Sequence, residues 1–285
     1  MRALPGAMPP RRASPGSPSR AGFTAALITL TSDFGLRDPY VGQMKSRILQ
    51  RSPGSLIIDL THEIPPFHPE QAGYWLWCVA PQFPAGTVHV AVVDPGVGGA
   101  RAIIVLEALG QRFIAPDNGL LGMIAGNPDA RAYAIEHHAL ERLGLSPASA
   151  TFHGRDIMAP VAAELSARRL EPQELGREHT PLAGTLRLAV AGADGSVQGQ
   201  VAVIDHYGNA LTTIPGATVA RLRRPNVALG GRRLRLVRAY VDAEIGECVA
   251  LINSAGMLEL AAGQASAARL LNIAPGQEVY LAEER

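Results

Sequence analysis

From Ala26 onward the chain sets short apolar runs against polar turns. Val88 to Val93 is almost unbroken β-branched sequence, the pattern of a strand buried on both faces of a helix-covered sheet. Ala26 to Leu30, Leu56 to Leu60, Ala102 to Leu106 and the run from Phe113 read the same way. Tyr40 to Gln50 carries Val41, Met44, Ile48 and Leu49 on one helical face, and Gln71 to Ala80 is apolar all round, which predicts a buried helix. Further helices are expected from Leu120 and from Ile157 to about Arg168, where Pro160 fits only in a first turn. These elements predict an α/β N-terminal domain around a central, mostly parallel sheet.

Between Glu171 and Gly184 the sequence turns polar, and beyond it the helical period disappears. Leu186 to Val190, Gln198 to Ile204, Val227 to Leu229, Leu234 to Tyr240, Cys248 to Ile252 and Glu278 to Ala282 are short β-rich runs separated by glycine-rich turns. They predict a small all-β domain, an antiparallel barrel or sandwich. The expected organisation is an extension over 1–24, an α/β domain over 25–175, a linker over 176–187 and a barrel-like domain over 188–285. The first stretch is rich in Pro, Arg, Ser and Gly without an apolar segment, so it reads as a disordered extension rather than a signal peptide.

Composition narrows the function classes. A net charge of +1 over 285 residues gives no electrostatic case for nucleic acid or an anionic membrane. No apolar run approaches the roughly 20 residues that span a bilayer. Cys78 and Cys248 form no metal or redox spacing and read as two reduced thiols, so a cytoplasmic protein is expected. Lys45 is the one lysine among 26 basic side chains, which reads as a bias of genomic composition.

The candidate chemistry lies in the polar turns, because open α/β sheets bind ligands at the carboxyl ends of their strands. Asp94 ends the Val88 run, Pro95-Gly96-Val97-Gly98-Gly99 forces a turn, and Arg101 opens the next run close enough to return to Asp94. The same residues would also serve as a capped turn closed by a salt bridge. The loop lacks the Gly-Lys-Ser/Thr ending of a phosphate cradle. Asp33 stands in a second such turn, while Asp59, His62 and Glu63 follow a third strand. Phe67, in a proline-rich loop, is either a plug over the core or a platform for a flat ligand. His153 precedes a helix beside Gly154, and Arg155 and Asp156 read as residues that hold its loop. In the C-terminal region the turns Asp205 to Asn209 and Asn253 to Glu259 stand out.

Ser32-Asp33-Phe34-Gly35, Val93-Asp94-Pro95-Gly96-Val97-Gly98, Ala115-Pro116-Asp117-Asn118-Gly119, Phe152-His153-Gly154-Arg155-Asp156, Tyr207-Gly208-Asn209 and Asn253-Ser254-Ala255-Gly256 occur in this order. The set resembles the S-adenosyl-L-methionine hydroxide adenosyltransferases, the hydrolase relatives of fluorinase and chlorinase, from about Leu27 to the C-terminus. The resemblance implies hydrolysis of S-adenosylmethionine (SAM) at ribose C5′ to adenosine and L-methionine, without cofactor or metal. It also implies a homotrimer with sites at subunit interfaces. Asp94, Arg101 and His153 would be the catalytic set. Asp33 would take the ribose hydroxyls, Phe67 and Tyr207 would flank adenine or ribose, and Asn209 would read adenine. Asp205, Ser254 and Glu259 would meet the methionine end, where Ala255 replaces the fluorinase arginine. Relatives that use halide carry Tyr and Thr at the positions of Asp94 and Val97, and Tyr and Ser at those of His153 and Gly154, so water is the expected nucleophile.

Two alternatives stand beside this reading. Asp33, Asp59, His62, Asp94, His153 and Asp156 could form a hard-metal cluster in a phosphoesterase, although none has compact ligand spacing. A nucleoside- or SAM-binding protein without turnover is the other.

Overall fold

The computed structural model describes residues 26–284 together with a two-residue strand, β1 (Arg2–Ala3). The rest of the stretch read as a disordered extension lies outside the described residues. The chain forms two compact units that meet in sequence at Gly184 and Thr185. In the first, β2 (Leu27–Ser32), α1 (Tyr40–Arg51), β3 (Leu56–Thr61), α2 (Pro69–Val79), β4 (Val88–Val92), β5 (Ile103–Ala108) and β6 (Gln111–Pro116) follow one another. Then come α3 (Gly122–Ala125), β7 (Arg131–Ala134), α4 (His137–Arg142), a π-helical turn at Gly154–Met158, α5 (Ala159–Ser166) and β8 (Glu178–His179). Thus β8, paired with β7, lies inside the stretch read as a linker.

The sheet order is β3-β2-β4-β6-β5-β7-β8, with β3, β2, β4 and β6 parallel and β5 antiparallel to both its neighbours. Val88, Val90 and Val92 of β4 pack with Met44 and Ile48 of α1 and Val161 and Leu165 of α5. Leu49, expected on the same face of α1, is exposed instead. The apolar helix α2 starts with Pro69 at its first turn, where a missing N–H costs nothing, and buries Tyr74, Leu76 and Trp77. Gly73 allows its close approach to α3, since a Cβ there would lie 2.0 Å from the Leu120 carbonyl oxygen.

His89 is the one imidazole on β4, and it is fully buried. Its Nε2–H donates to Gln111 Oε1 at 3.3 Å, its Nδ1 lies 2.7 Å from Thr29 Oγ1, and the Gln111 amide donates to the Ala80 carbonyl. Burial pushes its pKa down to about 4. The unfolded chain therefore binds this proton between pH 6.5 and 4 while the folded one does not. Stability present above pH 6.5 is lost as the pH falls toward 4, by about 3 kcal/mol. Urea melts at pH 7 and 4.5 check this, with a shallower pH slope expected for His89→Phe than for the wild type.

The second unit holds β9 (Val190–Ala191), β10 (Val197–Ile204), β11 (Ala210–Pro215), α6 (Gly216–Val219), β12 (Pro225–Leu229) and β13 (Arg232–Leu236). It ends with β14 (Cys248–Ile252), β15 (Met257–Ala262), α7 (Ala267–Leu271) and β16 (Glu278–Glu283). Strands β10-β11-β15-β14-β13-β12-β16 close into a seven-strand barrel through the β16–β10 pairing. All pairs are antiparallel except β13–β14, which is parallel. Val201, Ile214, Leu258, Leu260, Val279 and Leu281 fill its core, and β9 extends β10 and pairs with β1. The strand expected from Leu234 to Tyr240 ends at Leu236, and Tyr240 opens a 3₁₀ turn (Tyr240–Asp242) between β13 and β14.

Candidate active site

Because β5 runs antiparallel to β6, the chain that leaves the end of β4 returns to the same edge of the sheet. Asp94 and Arg101 therefore face each other across the 95–100 loop. Arg101 Nε donates to Asp94 Oδ1 at 2.8 Å, and a terminal nitrogen of the same guanidinium donates to Oδ2. This two-point clamp fixes both side chains, which are nearly buried. Gly98, at φ 79°, lets the loop lie on the next segment, since a Cβ there would come 2.3 Å from the Ala150 carbonyl oxygen.

His153 completes the group. Its Nδ1 lies 2.9 Å from the Arg101 nitrogen that also serves Asp94. A guanidinium nitrogen only donates, so Nδ1 accepts and neutral His153 carries its proton on Nε2. Burial, then the Arg101 charge, hold its pKa below the ordinary value against the opposing pull of Asp94 and Asp156. Near pH 7 it is therefore neutral. The π-helical turn that follows is a feature frequent at functional sites. Arg155 and Asp156 do hold this loop. Arg155 clamps the Asp156 carboxylate and reaches Gln43 on α1 at 3.0 Å, and Asp156 accepts the Ser149 N–H.

Asp33 follows β2 at the same sheet edge. Burial raises its pKa, as does the neighbouring Asp94 charge, while the Phe67 N–H, donating to Oδ2 at 3.3 Å, opposes the shift. Phe67 is 72% exposed and sits at φ 69°, a left-handed conformation that a bulky side chain adopts at a cost. An exposed aromatic ring held in strained backbone reads as a platform, not a plug. Phe67→Gly is expected to leave folding stability unchanged or raise it by up to about 1 kcal/mol while weakening substrate binding. Thermal melts and KM measured on the same samples check both halves.

Asp33, Phe67, Asp94 and His153 line one cavity of about 200 Å³ walled by Phe34 and Phe152. Arg101 touches two of them without lining it. The motif Ala115 to Gly119 supports the site from behind: Asn118 Nδ2 donates to the Val93 carbonyl, and Asp117 accepts from His179 and the Leu182 N–H.

In the barrel unit, Asp205, Tyr207, Asn209, Tyr240 and Arg269 line an open cleft of about 1050 Å³. Asp205 holds its own turn, accepting from the Tyr207 and Asn209 N–H groups and from Asn209 Nδ2. The Asn209 amide is thereby oriented at the cleft wall. Tyr207 is 77% exposed. Glu259 and Ser254 do not line the cleft. Glu259 is buried on β15, where burial raises its pKa and Tyr240 Oη donates to it at 2.7 Å. Ser254 is exposed in the β14–β15 turn, which Asn253 stabilises by accepting the Ala255 and Met257 N–H groups. Sequence reasoning missed Tyr240, whose run it read as strand throughout.

Among the described residues, no three His, Cys, Asp or Glu side chains are placed to hold a metal. No helix among them is long and apolar enough to cross a membrane. A carboxylate, guanidinium and neutral imidazole bonded to one another at a small cavity, with an aromatic platform beside it, define an enzyme that acts on a bound small molecule. Residues 28–176 match the SAM hydroxide adenosyltransferase N-terminal domain and residues 199–280 the C-terminal domain. The chain belongs to the SAM hydroxide adenosyltransferase family. It is 40% identical to an (R)-S-adenosyl-L-methionine hydrolase from Thermus thermophilus, over 89% of this chain and 98% of that protein. It is 29% identical to a fluorinase from Actinoplanes, over 89% of this chain and 96% of the relative. The crystal structure of an uncharacterized conserved protein from Thermotoga maritima superimposes with a TM-score of 0.81 at 33% identity, covering 90% of this chain and all of that one.

Proposed function

We propose that this protein hydrolyses S-adenosyl-L-methionine to adenosine and L-methionine, with water attacking ribose C5′. The observation that carries the reading is the bonded set of Asp94, Arg101 and His153 at the cavity edge. Membership of the family and the Thermus relative's name support it. In the reaction an O–C5′ bond forms, the C5′–S bond breaks, and its electron pair leaves on sulfur as a neutral thioether. The leaving group needs no proton and no metal. What must be supplied is an oriented water and a place for its proton.

The tautomer assigns the roles. Neutral His153 has no lone pair left, because Nδ1 takes the Arg101 hydrogen bond and Nε2 carries hydrogen. It therefore donates to the water oxygen. Asp94 keeps lone pairs beyond those given to Arg101 and is the first acceptor of the proton. Arg101 stabilises the hydroxide character that develops in the transition state.

Asp33 takes the ribose hydroxyls, Phe67 and Tyr207 flank the nucleoside, and Asn209 reads adenine. Asp205 supplies negative charge toward the methionine ammonium, and the buried Glu259 holds Tyr240 in the cleft wall beside it. The two clusters, each with an exposed aromatic, are brought together from neighbouring copies in a cytoplasmic homotrimer. Light scattering tests the trimer, and a fully active monomer would overturn it.

Purified protein is incubated in oxygen-18 water with each sulfonium epimer of SAM, with and without chloride and a chelator. The expected product is adenosine bearing the heavy oxygen at C5′, with turnover of the (R) epimer, as the relative's name specifies, and no loss on chelation. A 5′-halo nucleoside would place the chain with the halide users. Bound but unconverted SAM would leave a binding protein.

A further inference from the structure

Lys45 is the one lysine in a chain with 26 basic side chains, and the structure gives it a specific partner. Its Nζ lies 2.5 Å from Asp59 Oδ2. The other oxygen of that carboxylate lies 3.1 Å from His62 Nε2, close enough to attract but outside hydrogen-bond alignment. His62 is 3% exposed, and its Nδ1 lies 2.7 Å from Ser32 Oγ. Ser32 Oγ in turn accepts the Phe34 N–H at 3.3 Å. The main chain repeats the link: Gly35 N–H donates to the His62 carbonyl at 2.7 Å and Ile64 N–H to the Ser32 carbonyl at 3.3 Å. Asp33 lies between Ser32 and Phe34. Its turn is thus tied on both sides to the segment that carries His62.

We propose that His62, oriented by Asp59 and Lys45, is a positioning residue that holds the Asp33 carboxylate for the ribose 2′- and 3′-hydroxyls. The inference rests on the proposed role of Asp33. His62 touches no substrate. It acts by fixing Ser32 and the 62–64 backbone, because a buried imidazole with polar neighbours at both nitrogens has one satisfactory orientation. At the head of this chain of contacts Lys45 gives Asp59 a compact point charge. A planar guanidinium on a longer side chain meets the same carboxylate oxygen with different geometry. That gives a physical reason for one lysine amid so many arginines.

The test uses intact protein and two probes, adenosine and 2′-deoxyadenosine, with dissociation constants measured by calorimetry. In the wild type the missing hydroxyl is expected to weaken binding about tenfold, the worth of one hydrogen bond to a charged group. Asp33→Ala is expected to abolish that ratio. His62→Leu should bring it to within about twofold of unity. His62→Asn, which keeps an acceptor at the position of Nδ1, should restore most of it. Lys45→Arg, at a half-exposed position that poses no risk to folding, should show an intermediate loss. If Asp33→Ala keeps the wild-type ratio, the ribose role of Asp33 is wrong and the inference falls with it. If Asp33→Ala loses the ratio while His62→Leu and Lys45→Arg keep it, His62 is only structural and the positioning role alone is overturned.

Discussion

Asp94→Asn is expected to lower kcat by about 10²–10⁴-fold, the range for loss of a positioned proton acceptor, while SAM binds within a few-fold of the wild type. The substitution keeps the size of the side chain and one acceptor for Arg101 but removes the charge and turns an NH₂ group toward a donor. The clamp loses one of its two bonds, and the water loses the carboxylate that takes its proton. Single-turnover kinetics together with calorimetric binding of SAM separate the two effects. An Asp94→Asn enzyme with near-normal kcat would make His153 the proton acceptor and contradict the tautomer deduced from the Arg101 contact.

Arg101→Met should act on both partners at once. Loss of charge-assisted hydrogen bonds to Asp94 and His153, at roughly 1.5–3 kcal/mol each, predicts a fall in kcat of about 10²-fold or more. It also shifts the pH dependence. Burial and Arg101 lower the His153 pKa, whereas Asp94 and Asp156 raise it. With the cation gone the pKa rises. Neutral His153 is then lost at a higher pH on acidification, so the acid limb of the rate profile moves upward. An NMR titration of the His153 ring checks the direction without reference to rate. A basic limb set by the same group, in place of the acid limb, would mean that His153 is required in its protonated form.

The sequence pattern was most informative where burial is uniform. Val88 to Val93 reads as a two-face buried strand because every side chain is apolar or absorbed by a specific partner, and β4 is buried throughout. The Asp94–Arg101 pair was legible for a geometric reason, since a short glycine-rich loop leaves its two ends few other places to go. Two barrel strands were not legible. β11 carries Thr212 and Thr213 at fully buried positions, and β15 carries Glu259 in a run that is buried from end to end. Polar residue types hid both, and the turn read over Asn253 to Glu259 overlaps the start of β15. Their burial depends on partners far along the chain: the Leu258 carbonyl for Thr212 and the Tyr240 hydroxyl for Glu259. His62 was visible as a polar residue after a strand, but its role was not, because nothing local says that a histidine there will be sealed against Ser32.

The return of the chain to its own sheet edge has a consequence for how the site comes apart. Asp94 and Arg101 are separated by a loop so short that closing it removes little chain entropy. Their bond therefore outlasts small openings of the domain. His153 reaches the pair through the packing of the π-helical turn, the Phe152 ring against Phe34 and Tyr40, and the Gln43–Arg155 tether. Opening of that one segment, of the kind native-state exchange detects, would leave the carboxylate and guanidinium joined while the imidazole swings away. The protein would then be switched off by fraying at a single seam long before it unfolds.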